Sequence, residues 1–204
     1  MSDRLVVVLL TFNCRRSILG TVEAARRVTE HVIAVDSLST DGTPEFLRER
    51  GCTVLSRPFV NYADQRNWAI EQVAGRFDWQ LHLDADEVLD ERAASAVREV
   101  VAADRANAVY VFRRRTHFLG RRLRFGGATN YHLRLFRSGT ARCEQRLYDQ
   151  HFVSALPMQR VAGWLDDLNV GDLTEWTSRH NRWSSLEALE LHGRGGTTGG
   201  EVVA

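Results

Sequence analysis

No lysine occurs among the 204 residues, so all 27 basic side chains are arginines. That excludes chemistry built on a lysine amine and leaves cationic roles to the planar, permanently charged guanidinium. Cysteine is almost as scarce. Cys14, Cys52 and Cys143 are odd in number, far apart and free of any C-x-x-C pair, which excludes a disulfide framework or a zinc knuckle and fits a reducing cytoplasm. The apolar run Leu5–Leu10 is too short for a membrane span and lacks the basic flank and cleavage site of a signal peptide, so it is expected to be a buried strand. Net charge is nearly absent too: 27 basic against 26 acidic residues leave +1. No global field draws the chain to nucleic acid or anionic lipid, and any electrostatic steering must be local.

With 44% hydrophobic residues, a chain of this length is expected to bury one core in a single domain over 1–192, divided at 103/104, with a Gly/Thr-rich tail at 193–204 expected to be mobile. Leu5–Leu10, His31–Val35, Cys52–Leu55 and Trp79–Leu83 are short Val/Leu/Ile-rich runs of the kind buried on both faces of a parallel sheet. Helical spacing occupies Arg15–Val28, Pro44–Arg50 and Ala63–Val73 between them, with Thr43 a candidate N-cap and Pro44 at the first helical position. The order β-α-β-α-β-α-β predicts a doubly wound α/β sheet that binds ligands beyond the carboxyl ends of its strands. A helix at Glu91–Ala102 and strands at Ala108–Arg113 and Tyr131–Phe136 follow, with turns at Gly120 and Gly126-Gly127, then a helical segment at Leu173–Leu191.

Three polar clusters fall at the ligand edge: Thr11-Phe12-Asn13, Asp36 to Thr43, and Asp84-Ala85-Asp86-Glu87. In extended chain, side chains two apart point the same way, so Asp84 and Asp86 can present two carboxylates together while Ala85 turns inward. Hard divalent ions pair one or two carboxylates with substrate phosphates, which implies Mg²⁺ or Mn²⁺ and a diphosphate-bearing substrate. Acidic residues after a strand also serve as plain helix caps, and the Asp36–Thr43 stretch also reads as a structural strand-to-helix loop.

These pieces, with Arg57-Pro58-Phe59 leading into Ala63-Asp64-Gln65-Arg66-Asn67, occur in the order and spacing of glycosyltransferase family 2. The chain resembles that family, of GT-A fold, and its lipopolysaccharide-core glucosyltransferase-like branch. A looser match runs through Tyr131 to Arg137 and Leu147-Tyr148-Asp149. The resemblance implies a GT-A-like, Rossmann-like, mostly parallel sheet flanked by helices. Residues 1–103 would bind the nucleotide sugar, and a smaller, irregular acceptor-side half would occupy 104–192. By the same resemblance Thr11, Asn13 and Asp36 would line the nucleotide pocket, Arg66 would lie near the base or diphosphate, Asp84 would face ribose and metal, and Asp86 would be the principal metal ligand. Many relatives carry a second acid where this chain has Ser37. The implied reaction is inverting transfer from a nucleoside diphosphate sugar, a UDP-sugar favoured, to a glycan or lipid-linked acceptor in cell-envelope synthesis at the inner face of the membrane.

Inversion needs a base for the acceptor hydroxyl. Asp149 is the candidate, with Glu144 a competitor and an Arg146 ion pair the structural alternative. His151 or His180 could complete a metal shell, although lone histidines are more often structural. The run Arg113-Arg114-Arg115 with Arg121, Arg122 and Arg124 fits an acceptor diphosphate, an anionic membrane or a solvated hairpin. No nucleic-acid motif accompanies it. Two rivals remain. Asp84-Ala85-Asp86-Glu87-Val88 also fits the D-x-D-x-[TV] loop of haloacid-dehalogenase-type phosphatases, with Asp166-Asp167 for metal, but those enzymes use a lysine and place the motif after the first strand. A non-catalytic nucleotide-sugar-binding protein is the other.

Overall fold

The computed structural model describes residues 4–125, 129–147, 149–169 and 171–195. Strand β1 (Leu5–Thr11) is buried along almost its whole length because every side chain on both its faces is apolar until Leu10. It pairs in parallel with β2 (Val32–Asp36) on one side and β4 (Trp79–Asp84) on the other, and β3 (Thr53–Ser56) adds in parallel outside β2. The parallel order 3-2-1-4 requires helical crossovers, supplied by α1 (Ile18–Arg26), α2 (Thr43–Glu49) and α3 (Tyr62–Val73). Registers Thr11↔Asp36 and Leu10↔Asp84 bring all three polar clusters to one sheet edge.

The later half continues the same sheet. After β5 (Glu87–Leu89) and α4 (Glu91–Ala102) come β6 (Val109–Phe118), β7 (Arg121–Arg122) and β8 (Thr129–Arg137). Strand β8 inserts antiparallel between β4 and β6. A small antiparallel pair, β9 (Arg142–Cys143) with β10 (Phe152–Val153), lies apart from that sheet. The strands β11 (Met158–Arg160) and β12 (Leu165–Asn169) both pair in parallel with β6, β12 also pairs antiparallel with β5, and α5 (Leu173–Gly195) ends the described chain. No described helix is long and apolar enough to cross a membrane.

Several boundaries differ from the expectation. Helix α1 begins at Ile18 rather than Arg15, because residues 13–15 are spent tying the first loop to the second: Asn13 N donates to Ser39 Oγ, Cys14 N to Thr43 Oγ1 and Arg15 N to Asp41 Oδ2. For the same reason Thr43 does not cap α2. Its hydroxyl donates to Asp41 Oδ1, and Gly42, at φ +82°, takes the cap position. Strand β6 runs on to Phe118 because β12 and β7 supply partners along its exposed end, and Leu119 and Gly120, both at positive φ, turn the hairpin. Helix α5 continues through Gly193 to Gly195, while the rest of the expected tail, 196–204, and the Gly126-Gly127 turn lie outside the described residues. The three cysteines are free.

Two residues lock the late segments onto this frame. Asn67 of α3 imitates a strand partner, donating from Nδ2 to Cys143 O at 2.9 Å and accepting Cys143 N at 2.8 Å. Gly163, at φ +91°, lies so close to α4 that a Cβ there would sit 2.3 Å from Ala93 N.

Candidate functional site

The site grows from the carboxyl end of β4, where Asp84 and Asp86 flank a turn between two strands. Ala85 packs against the main core, and its carbonyl accepts the Thr21 hydroxyl at 3.1 Å, which holds the turn down on α1. Asp84 is fully engaged. Oδ1 accepts from Arg66 Nη2 at 2.6 Å and Oδ2 from Arg134 Nη2 at 2.7 Å, and the same Arg134 nitrogen donates to Glu87 Oε1 at 2.6 Å. Glu87 closes the ring by accepting Asp84 N at 3.0 Å. Burial opposes the Asp84 charge, but the Arg134 and Arg66 guanidiniums outweigh it and hold the carboxyl well below its ordinary range. Burial pushes the Glu87 carboxyl up, against the pull of Arg134.

Asp86 stands in contrast. Its carboxylate makes no hydrogen bond or ion pair among the described residues; only its backbone carbonyl is used, accepting Leu168 N at 2.8 Å. Burial, and then the carboxylates of Asp167, Asp84 and Glu87, push it up to about 8, with Arg179 of α5 the cation that offsets them. The antiparallel register of β12 on β5 sets Asp167 opposite Glu87 and so adds the extra negative charge. The two carboxylates thus differ: each Asp84 oxygen accepts from an arginine, whereas the Asp86 side chain has no bond among the described residues.

A divalent cation fits this donor set through Asp86. An unpaired carboxylate crowded by three others is relieved by positive charge. Among the described residues no three His, Cys, Asp or Glu side chains are grouped to hold a metal, so the remaining ligands would be substrate oxygens or water. Beside Asp84, Arg66 Nη1 is buried and has no hydrogen-bond partner among the described residues. Beneath these cations His82 is buried against Phe136 and Phe152, and burial followed by Arg66 and Arg134 keeps its ring neutral.

The first two clusters meet as the topology requires. Asp36 is buried, and its carboxylate accepts the Thr11 hydroxyl at 2.9 Å, Ser39 Oγ at 2.6 Å and Ser39 N at 2.8 Å. Asn13, at φ +46°, accepts Thr40 N at 2.8 Å. Both side chains thus shape the loops, while Phe12 and Leu38 of the same loops stay exposed. Ser37, on the loop after β2, accepts Gln65 Nε2 at 3.2 Å.

Asp149, at φ +52°, is exposed and lies 3.5 Å from His151 Nε2. The expected alternative partner, Arg146, binds Glu190 of α5 at 2.9 Å instead. Glu144 accepts both His151 N at 3.0 Å and Nδ1 at 3.1 Å, so the imidazole bridges the two candidate bases. Tyr148, part of the same motif, lies outside the described residues. His180 is turned to structure, with Nδ1 on Trp176 O at 2.8 Å and its ring stacked on Trp176. Asp166 is gripped by Arg115 and His117. With Asp84 held by two arginines and Asp166 by its own partners, the pair and nucleophile that a phosphatase needs are both committed.

From the sequence Arg134 had no role, Glu87 only a place in the third polar cluster, and Asp167 a role only under the phosphatase alternative. The available signal was Arg134 inside the apolar run Leu133-Arg134-Leu135-Phe136, since a charge in a buried strand must find a partner.

A family model described as glycosyl transferase family 2 matches residues 6–155. The chain is 26% identical over 103 residues to an uncharacterized glycosyltransferase of Rickettsia conorii, covering 50% of this chain and 36% of that protein. It is 28% identical over 95 residues to another from Rickettsia typhi, covering 47% and 32%. It therefore spans about a third of the length of these curated relatives. Among solved structures, S. aureus TarS 1-349 in complex with UDP-GlcNAc matches with a TM-score of 0.56 and 12% identity over 83% of this chain and 59% of that one. That likeness is one of fold, and it agrees with the GT-A-like α/β architecture.

Proposed function

The chain belongs to glycosyl transferase family 2, and from that premise we propose that it moves a sugar from a nucleoside diphosphate sugar, a UDP-sugar foremost, to an acceptor hydroxyl with inversion. The observation that carries the reading is the contrast at the end of β4: Asp84 neutralised by Arg66 and Arg134, Asp86 free and crowded by carboxylates. Asp86 would hold Mg²⁺ or Mn²⁺, which supplies positive charge against the negative charge that develops on the departing diphosphate. Arg66, whose Nη1 has no partner among the described residues, would bind the same anion. The Thr11–Asp36–Ser39 and Asn13–Thr40 bonds hold the first two loops as the rim of the nucleotide pocket.

Asp149 takes the acceptor proton, so that the acceptor oxygen forms its bond to the anomeric carbon as the bond to the diphosphate breaks on the opposite face. His151, bonded to Glu144, orients that carboxylate. We place the acceptor among glycans or lipid-linked precursors of the cell envelope, in the cytoplasm at the inner face of the membrane. The exposed Arg121, Arg122 and Arg124 support that location.

The test is a thermal-shift screen of nucleoside diphosphate sugars with and without Mn²⁺, using parent and Asp86→Ala. Stabilisation is expected to need both metal and nucleotide, and to vanish in the variant. Equal stabilisation of the variant, or none from any sugar nucleotide, refutes the reading.

A further inference from the structure

A second concentration of positive charge lies away from Asp86. Arg92 of α4, Arg113 of β6 and Arg160 of β11 line a cleft of ≈ 250 Å³ together with Tyr131 and Trp164. None of these arginines has an ion-pair partner among the described residues, whereas their neighbours Arg114 and Arg115 are matched by Asp167 and Asp166. We infer that this cleft is an anion subsite that holds a phosphate group of the acceptor.

The arginines are held ready for that task. The Arg113 guanidinium lies over the Trp164 ring, 4.2 Å from its centroid, and that of Arg160 over Tyr131 at 4.6 Å. Stacking uses the face of a guanidinium and leaves the N–H donors at its edge for an oxyanion, with part of the side-chain entropy already lost. Gly163 supplies the third wall. Its contact with Ala93 brings the Trp164 loop onto the first turn of α4, which carries Arg92 and the positive end of the helix dipole.

Three guanidiniums lining one cleft, with no acid among the residues that line it, favour an anion there. A phosphate, with its two charges and several acceptor oxygens, matches them better than a monovalent carboxylate. The volume falls below the ~300 Å³ at which whole-ligand pockets begin, so the cleft suits one charged group of a larger molecule. The cleft lies along the same strands as the Asp86 edge: Tyr131 is three residues along β8 from Arg134, roughly 10 Å, and Trp164 is three residues before Asp167, although Trp164 meets Arg113 and Arg115 whereas Asp167 meets Arg114. Assigning the phosphate to the acceptor rests on the transferase reading, whereas the anion site does not.

The probe is inorganic phosphate, titrated into the intact chain while the Trp164 indole N–H resonance, assigned through Trp164→Phe, is followed by NMR. The expected result is a saturable shift. Affinity should fall about tenfold or more in Arg113→Gln/Arg160→Gln and stay unchanged in Arg48→Gln. The single variant Arg160→Gln, on an exposed side chain, serves if the double variant does not fold. No saturable shift, or equal affinity in the Arg113/Arg160 variants, overturns the inference. Sedimentation with phosphatidylglycerol vesicles, against phosphatidylcholine alone, separates the sources once phosphate is seen to bind. Arg160-dependent sedimentation identifies a lipid-borne phosphate, and its absence a soluble one. Failure of phosphate to bind leaves the Asp86 reading standing, and failure of sugar nucleotides to bind leaves this site standing.

Discussion

Replacing Arg134 by Met should be the most damaging single change at the site. Its side chain is 6% exposed and its Nη2 serves two acids at once, Glu87 at 2.6 Å and Asp84 at 2.7 Å. Asp84 keeps Arg66 and is 34% exposed, so solvent and the second guanidinium cover much of its loss. Glu87, at 1% exposure, has no other cation among the described residues. The Glu87 side therefore sets the magnitude, and breaking a buried pair of this kind costs about 3–5 kcal/mol. For a chain of this size each kcal/mol lowers the melting temperature by about 2–4 °C, so a fall of roughly 6–20 °C is expected in metal-free buffer at pH 7, followed by far-UV circular dichroism. Arg134→Met/Glu87→Leu removes both charges and should recover most of the loss, because the cost lies in the orphaned carboxylate rather than in the missing bond. A single variant within about 1 kcal/mol of the parent, or a double variant no better than the single, would show that the ring of charges is not held as described.

Gly163→Ala combines a positive φ with a Cβ 2.3 Å from Ala93 N and 2.5 Å from the capping Asp90 Oδ1. It should cost about 2–4 kcal/mol in urea unfolding; a loss under about 1 kcal/mol contradicts the close approach. At Asp166, burial opposes the charge but Arg115 and His117 outweigh it and lower the carboxyl from its ordinary 3.8. A depressed carboxyl stabilises above its unfolded value and loses that contribution as pH falls through the folded one. The gap between parent and Asp166→Asn, about 1–3 kcal/mol at pH 7, should thus persist down to pH near 4 and close below it, and a gap independent of pH would refute the assignment. Asp149→Asn should lower sugar transfer about 100-fold or more while sugar-nucleotide binding by calorimetry is retained; transfer within a few-fold of the parent removes Asp149 as the base.

The parallel half of the sheet was legible because its strands are apolar on both faces and its crossovers have helical spacing, signals carried by consecutive residues. The loop bonds were less so. Thr43 has the chemistry of a cap, yet its hydroxyl donates to Asp41 and accepts from Cys14 N, and the Cys14 bond exists only once β1 and β2 are paired. The late half was hardest to read, since β5 and β12 are short, carry acids, and become strands only by pairing with each other and with β6.

Local order along the chain determines that Asp84 and Asp86 leave the end of β4 beside the Thr11 and Asp36 loops, because the parallel crossovers carry all those loops to one edge. The division of labour between the two aspartates is decided by tertiary structure alone. Arg66, Arg134 and Asp167 lie 18, 50 and 81 positions from the acids they govern, by subtraction of residue numbers. Charge acts through space, and in a half-buried site a guanidinium at 2.7 Å outweighs anything adjacent in sequence.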